Sequence, residues 1–273
     1  MAILGGGRSK ARSTLVGLHD LLGFGELLAA SGGTLDSAVG EFSYRRVLGL
    51  RQSVTDIEAL FPKGTMFFHF NDTVTAYLDV DIEIGSSHTD PGGIAALPIR
   101  PSEYEKVLKF VSGCASLHQR SIAREDDERL GPAGRTFVVL GKRWDLGKVR
   151  SRRVFEVPPL QANLAFAEAY AADQAGSKKG FSHRTCSRVY LNDYVWFVLR
   201  AGFPTLKSGQ QSRLAELGTP GGHFPLNLNP NDAKPIPIEI FHRLRNFHSV
   251  MSHHACDIAK ALEDGGVSAR KNG

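Results

Sequence analysis

Cysteine is scarce in this chain. Cys114, Cys186 and Cys256 are the whole complement in 273 residues, far apart and odd in number. No CxxC pair occurs, which counts against a zinc cluster or a disulfide framework. Long apolar runs are missing too, and nothing approaches the ~20 apolar residues a membrane span needs. The segment Met1-Ala2-Ile3-Leu4-Gly5-Gly6-Gly7-Arg8 has no apolar signal core. A cytoplasmic protein without a membrane partner is therefore expected. Gly5-Gly6-Gly7 and Gly32-Gly33 are not phosphate loops, and neither a Walker motif nor a G-x-G-x-x-G after a strand is found. There is no HExxH, and His253-His254 lacks the i, i+4 spacing of a helix-borne metal pair.

What is present describes a globular, mildly basic protein. A hydrophobic fraction of 42% predicts a sizeable core. The net charge of +5 favours contact with a polyanion or a triphosphate. Basic residues gather at Lys142-Arg143 and at Lys148-Val149-Arg150-Ser151-Arg152-Arg153. No aromatic residues are interleaved within the 148–153 run to stack bases, which counts against a nucleic-acid partner.

Residues 1–12 read as a flexible Gly/Ser/basic arm. A main domain follows over 13–201. It opens with an apolar strand at 13–19, a helical stretch from Phe24 to Ala30 and a longer one within Thr34–Leu60. Residues 65–70 and 73–80, rich in Phe, Thr, Val and Tyr, flank Asn71-Asp72 and predict a β-hairpin. A loop over 85–98 leads to a helix from Pro101 to about Arg124 with Tyr104, Val107, Leu108, Val111, Ala115 and Ile122 as its buried stripe. Cys114 on that stripe reads as core. Strands are expected at 136–141, 154–157 and 188–191, a helix at 160–174, and strand or helix from Tyr194 to Ala201. Residues 202–236 read as a long irregular connection, and 237–273 as a C-terminal helix, spanning 238–262, with a tail. The order predicts an α+β fold: a ferredoxin-like, split βαβ antiparallel sheet with helices on one face.

Two aspartates stand in positions of chemical interest. Asp20 ends the first strand, and Asp72 lies at the hairpin tip. Carboxylates on adjacent strand ends can hold a divalent cation against a nucleoside triphosphate. The plainer readings are a helix N-cap for Asp20 and a simple turn residue for Asp72.

These segments resemble the class III nucleotidyl cyclases. His19-Asp20-Leu21-Leu22-Gly23-Phe24 is similar to their first metal motif, and Phe70-Asn71-Asp72-Thr73 to the second, 52 residues on (72 minus 20). Ala162-Asn163-Leu164-Ala165 resembles the start of their ribose-contacting helix. The resemblance spans roughly 13–195 and implies a metal-dependent lyase working as a homodimer. It implies that Asp20 and Asp72, with the Leu21 carbonyl, bind Mg2+ or Mn2+. Asn163 would orient the ribose and Glu156 would read the base.

The departures are specific. The family's transition-state arginine falls at Ala167, its base-reading lysine at Phe68, and the glycine before the second aspartate at Asn71. Arg135, Arg143 or Arg153, or a cation from a partner subunit, would have to replace the arginine. Phe68 cannot hydrogen-bond a purine edge. It fits base stacking, or a pyrimidine-reading pocket as in cyclases of antiviral defence, or a pocket without a base. Three functions follow: a nucleotidyl cyclase, a catalytically inactive nucleotide-binding or signalling module, and a basic nucleic-acid-binding or scaffold protein.

Overall fold

In the computed structural model, strand β1 (Ala11–Leu21) runs through the middle of the molecule. Its β-branched and leucine-rich stretch Thr14–Leu18 is fully enclosed, as expected for a strand buried on both faces. The structure describes residues 11–32, 34, 36–84, 99–127, 134–145, 157–175, 188–202, 238–241 and 253–255. After β1 come α1 (Phe24–Ala30) and α2 (Ala38–Ile57), then the hairpin of β2 (Met66–Phe70) and β3 (Thr73–Val80). Helix α3 (Pro101–Asp127), β4 (Gly134–Trp144), α4 (Leu164–Ala175), β5 (Arg188–Asn192) and α5 (Asp193–Gly202) complete the main body.

Local chemistry explains these boundaries. Ser37 caps α2, its Oγ accepting the Gly40 N–H at 3.0 Å. Pro101 starts α3, where a missing N–H costs nothing. Asn71 turns the hairpin with a left-handed φ of 50°, a conformation asparagine tolerates better than most residues.

The sheet order is β2-β3-β1-β4-β5-β6-β7, where β6 is Ile238–Phe241 and β7 is His253–Ala255. β1 is antiparallel to both β3 and β4, and β2 is antiparallel to β3. The β1–β4 portion is thus the βαββαβ arrangement expected. β5 extends it in parallel with β4, and β6 in parallel with β5.

Two expectations are corrected. Helices cover both faces, not one. α2, α3 and α5 pack on the side of Leu15 and Leu21, whereas α4 packs on the side of Val16 and Leu18. Strand alternation separates these sets. The expected C-terminal helix is also not what forms at its described positions. Ile238–Phe241 pairs with β5 and His253–Ala255 with β6, long-range pairing overriding local helical periodicity. Residues 1–10 of the expected arm, 203–236 of the expected connection and 154–156 of the expected strand lie outside the described residues, whereas Ala11 and Arg12, expected in the arm, already belong to β1. No helix among the described residues is long and apolar enough to cross a membrane.

Two glycines set how closely helices approach the sheet. A Cβ on Gly141 would stand 3.0 Å from Ala165 of α4, and one on Gly17 would stand 2.3 Å from Cys114 Sγ of α3. Both Cys114 and Gly17 lie in filled space, so Gly17→Ala overpacks the core. The expected cost is about 1–3 kcal/mol. In a Cys114→Ala background at least half of that cost should disappear, as read by urea denaturation. Equal costs in both backgrounds would exclude the Cys114 contact as its source.

Candidate functional site

The register of β1 places three side chains side by side at one end of the sheet. Asp20 pairs across to Thr73 on β3 and to Arg135 on β4. All three lie on the α4 face, since they share strand parity with Leu18, Tyr77 and Phe137. The Thr73 hydroxyl donates to Asp20 Oδ1 at 2.8 Å. The Leu21 amide donates to the Asp72 carbonyl at 3.0 Å, fastening the hairpin tip to the end of β1. Asp20 does not cap a helix: α1 begins after Gly23, which has no side-chain cap. Asp72 is a turn residue as well as a member of this cluster.

Helix α4 brings a third carboxylate, which sequence reading overlooked. Asp173 is buried and forms an ion pair with Arg135, Nη2 to Oδ1 at 2.9 Å. Arg135 Nη2 also donates to the Asp173 carbonyl at 3.2 Å. The signal was there: Ala165, Ala169, Ala172 and Asp173 fall on one helical stripe.

Crowded, buried acids hold their protons more tightly. Burial first, then the charges of Asp173 and Asp72, push the Asp20 pKa up to about 7, against the lowering effects of Thr73 and Arg135. Burial raises Asp72 as well, although Arg46 and His69 oppose it. Asp173 is raised by burial despite its ion pair with Arg135.

A carboxyl whose folded pKa exceeds its unfolded value makes folding costlier as pH rises from about 4 to about 7. Asp20→Asn is therefore expected to stabilise the protein by about 1–2 kcal/mol at pH 8. The gain should shrink towards zero at pH 4 in urea denaturation. A gain independent of pH would contradict this origin.

The other expected site residues fall elsewhere. Arg143 is at the far end of β4, donating to Asp79 from Nε at 2.9 Å and Nη2 at 2.6 Å, with its guanidinium 5.5 Å from the Tyr77 ring centre. It is committed to structure and does not join Asp20. Asn163 bridges to Arg143, eight residues along the strand pair from Asp20 (20 minus 12), or roughly 26 Å at the usual strand rise. Its Oδ1 accepts the Phe166 N–H at 3.1 Å and its Nδ2 donates to the Pro159 carbonyl at 2.8 Å, so it caps α4. Within one chain, Asn163 and the aspartates are not brought together. Phe68 lies on the α4 face of β2, opposite Thr75 and packed against the α4-side core. Glu156 and Arg153 lie outside the described residues.

Behind Asp20, on the opposite face, lies a buried polar cluster. The Thr136 hydroxyl is 2.7 Å from His19 Nδ1 and 2.8 Å from His118 Nδ1, and His19 Nε2 is 3.1 Å from Ser121 Oγ. Burial drives His19 down to about 3, helped by the charge of Arg46. Burial and His19 lower His118 as well.

Among the described residues, no group of three or more His, Cys, Asp or Glu side chains is arranged to hold a metal ion. The chain matches no protein-family model and no curated protein. A solved structure of a class III adenylyl cyclase-like ATP-binding protein from Pseudomonas aeruginosa is similar at a TM-score of 0.41 and 14% identity. The match covers 78% of this chain and 38% of that one.

Proposed function

We propose that this chain is a cyclase-like protein that binds a nucleoside triphosphate together with Mg2+ or Mn2+ at Asp20 and Asp72. The observation that carries this reading is the pair of half-buried carboxylates on strand ends joined by the Leu21–Asp72 backbone hydrogen bond. Hard carboxylate oxygens suit hard cations, and crowded carboxylates gain most from a positive partner. Two carboxylates without a third ligand also suit a cation that arrives with phosphate oxygens completing its shell. The Leu21 carbonyl would assist. When bound, the cation would neutralise phosphate charge and favour ionisation of the ribose 3′-hydroxyl.

The protein's own groups have distinct tasks in this reading. Arg135, the register partner of Asp20, offers positive charge to the phosphates. Phe68 offers an apolar face on the same side of the sheet and no hydrogen bond to a base. The reaction would be in-line attack of the 3′-hydroxyl on the α-phosphorus with pyrophosphate leaving. Asn163 can take part only if a second copy, placed head to tail, carries it to the aspartates of the first. Exposed Met66, Phe70, Leu164 and Tyr170 offer apolar surface to such a homodimer.

A second reading is nucleotide binding without turnover. Ala167 supports it, since the α4 turn after Asn163 carries no charge to stabilise a transferring phosphoryl group. Arg143 is committed to Asp79, so nucleic-acid binding has no comparable support.

The test is calorimetric titration with each of the four ribonucleoside triphosphates, with manganese and with EDTA, followed by mass spectrometry of the products. Binding that requires manganese and vanishes in Asp72→Ala supports the site. Binding unaffected by Asp72→Ala, or absent for all four, overturns it. A cyclic product decides for the enzyme, and tight binding without product for the module.

A further inference from the structure

Arg46 is the largest fully buried side chain among the described residues, 1% exposed. It stands in the buried stripe of α2 between Ser43 and Leu50. A leucine there would pack without the desolvation cost that a buried charge carries. Packing therefore does not account for a guanidinium, but its contact across the chain does. Arg46 Nη2 donates to the Leu22 carbonyl at 3.1 Å, 24 residues away. That carbonyl lies one residue outside the α1 ladder, in which the Leu27 N–H donates to the Gly23 carbonyl at 3.1 Å. Its donor must come from elsewhere. On the other side of the same turn, the Leu21 N–H donates to the Asp72 carbonyl at 3.0 Å. The peptide between these two anchored groups carries the Leu21 carbonyl. Gly23, with a φ of 80°, gives the turn little stiffness of its own, so the anchors supply it.

We infer that Arg46 is a positioning residue for the proposed nucleotide site: by holding the Leu22 carbonyl from α2, it keeps the Leu21 carbonyl fixed beside Asp20 and Asp72 for the cation. This rests on the reading of Asp20 and Asp72 as cation ligands. Without Arg46, the Leu21–Leu22 peptide must be ordered when the cation binds. Ordering one residue of backbone weakens binding about tenfold. The charge of Arg46 acts in the opposite direction. It reaches Asp72, and a positive charge near a carboxylate disfavours a bare cation. Deleting it would tighten manganese binding if charge were its whole role, so the sign of the change separates the two.

The probe is manganese, alone and with each of the four ribonucleoside triphosphates, titrated calorimetrically against the parent, Arg46→Met and Arg46→Lys. Arg46→Met is expected to raise the dissociation constant about tenfold and to speed hydrogen exchange of the ligand-free Leu22, Gly23 and Phe24 amides by about as much. Arg46→Lys keeps a donor for the Leu22 carbonyl and should recover most of both. Gly17→Ala, which strains the packing between β1 and α3, should leave the dissociation constant within about twofold and so shows what lost stability alone does. Arg46→Leu serves as the apolar variant if the methionine protein does not fold. Tighter or unchanged manganese binding in a folded apolar variant overturns the inference and leaves the site standing. Unchanged exchange at the three amides overturns it as well. So does a lysine variant as weak as the apolar one, which would trace the effect to shape. A parent whose binding of manganese and of its triphosphate complexes is absent, or unaffected by Asp72→Ala, removes the site and the inference together.

Discussion

Mixing equal amounts of Asp20→Ala and Asn163→Ser chains is expected to restore about a quarter of the parent's turnover, although neither variant alone should form cyclic product. The reason is distance. Asp20 and Asn163 lie at opposite ends of the same face, eight register positions apart, so one chain cannot offer both to one substrate. A head-to-tail pair forms two sites, each taking Asp20 from one copy and Asn163 from the other. Random mixing makes half of the dimers mixed, and each mixed dimer has one intact site. Serine is chosen at 163 because it keeps the cap on α4 that Asn163 provides through Phe166. Alanine there would cost about 1 kcal/mol of stability and confuse the result. A mixture as inactive as its parts, with both chains folded and associating, would exclude a shared site.

Thr136→Val is expected to be the most damaging conservative substitution in the core. One hydroxyl serves two fully buried imidazoles, and it must donate to one Nδ1 and accept from the other. Valine keeps the shape and strips both bonds. At about 1–3 kcal/mol for each buried polar group deprived of a partner, the expected loss is about 2–5 kcal/mol. Thr136→Ser keeps the hydroxyl and should recover most of it. The same cluster makes the protein acid-sensitive. His19 has a folded pKa lowered to about 3, so its unfolded form binds protons first as pH falls below 6.5. Its contribution is complete above pH 6.5 and is lost as pH falls towards 3. His118 acts in the same direction. Each histidine contributes at most about 1.4 kcal/mol per pH unit. Asp20 works in the opposite sense between pH 4 and 7, so the slope should be steepest in an Asp20→Asn background. Urea denaturation from pH 8 to pH 4.5 measures both, and a flat profile there would contradict neutral buried histidines.

Local chemistry explains which parts of this molecule were legible in the sequence. The hairpin was, because β-branched and aromatic residues flank Asn71-Asp72 and the register follows from a two-residue turn. Helix α3 was, because its buried stripe repeats at helical spacing, with Tyr104, Val107 and Val111 enclosed as expected. What escaped depends on contacts distant in sequence. That α4 lies on the second face follows from Ala165 meeting Gly141, with Ala169 and Ala172 buried in the same cluster as Val16 and Leu18, contacts that the sequence of α4 alone does not reveal. The strands at 238–241 and 253–255 form by pairing with β5 and with each other. The site divided in the same way. Asp20 and Asp72 were visible as charges at strand ends. Asp173 shows in the sequence only as one polar member of an alanine stripe, and its partner Arg135 is distant in the chain.

The alternation along β1 has an evolutionary corollary. His19 belongs to the closed polar cluster beneath α3, and Asp20, one residue on, belongs to the acidic site beneath α4. Both neighbours grip this strand, β3 from Ser13 to Asp20 and β4 from Ala11 to Leu21. A single deletion between Ser13 and Asp20 would carry the carboxylate to the position of His19, in the histidine cluster, and the imidazole to that of Leu18, in the apolar core beneath α4. The strand can absorb exchanges of residue but not changes of length. In homologues of this chain, the spacing from Ser13 to Asp20 should be held constant while the residues between them drift.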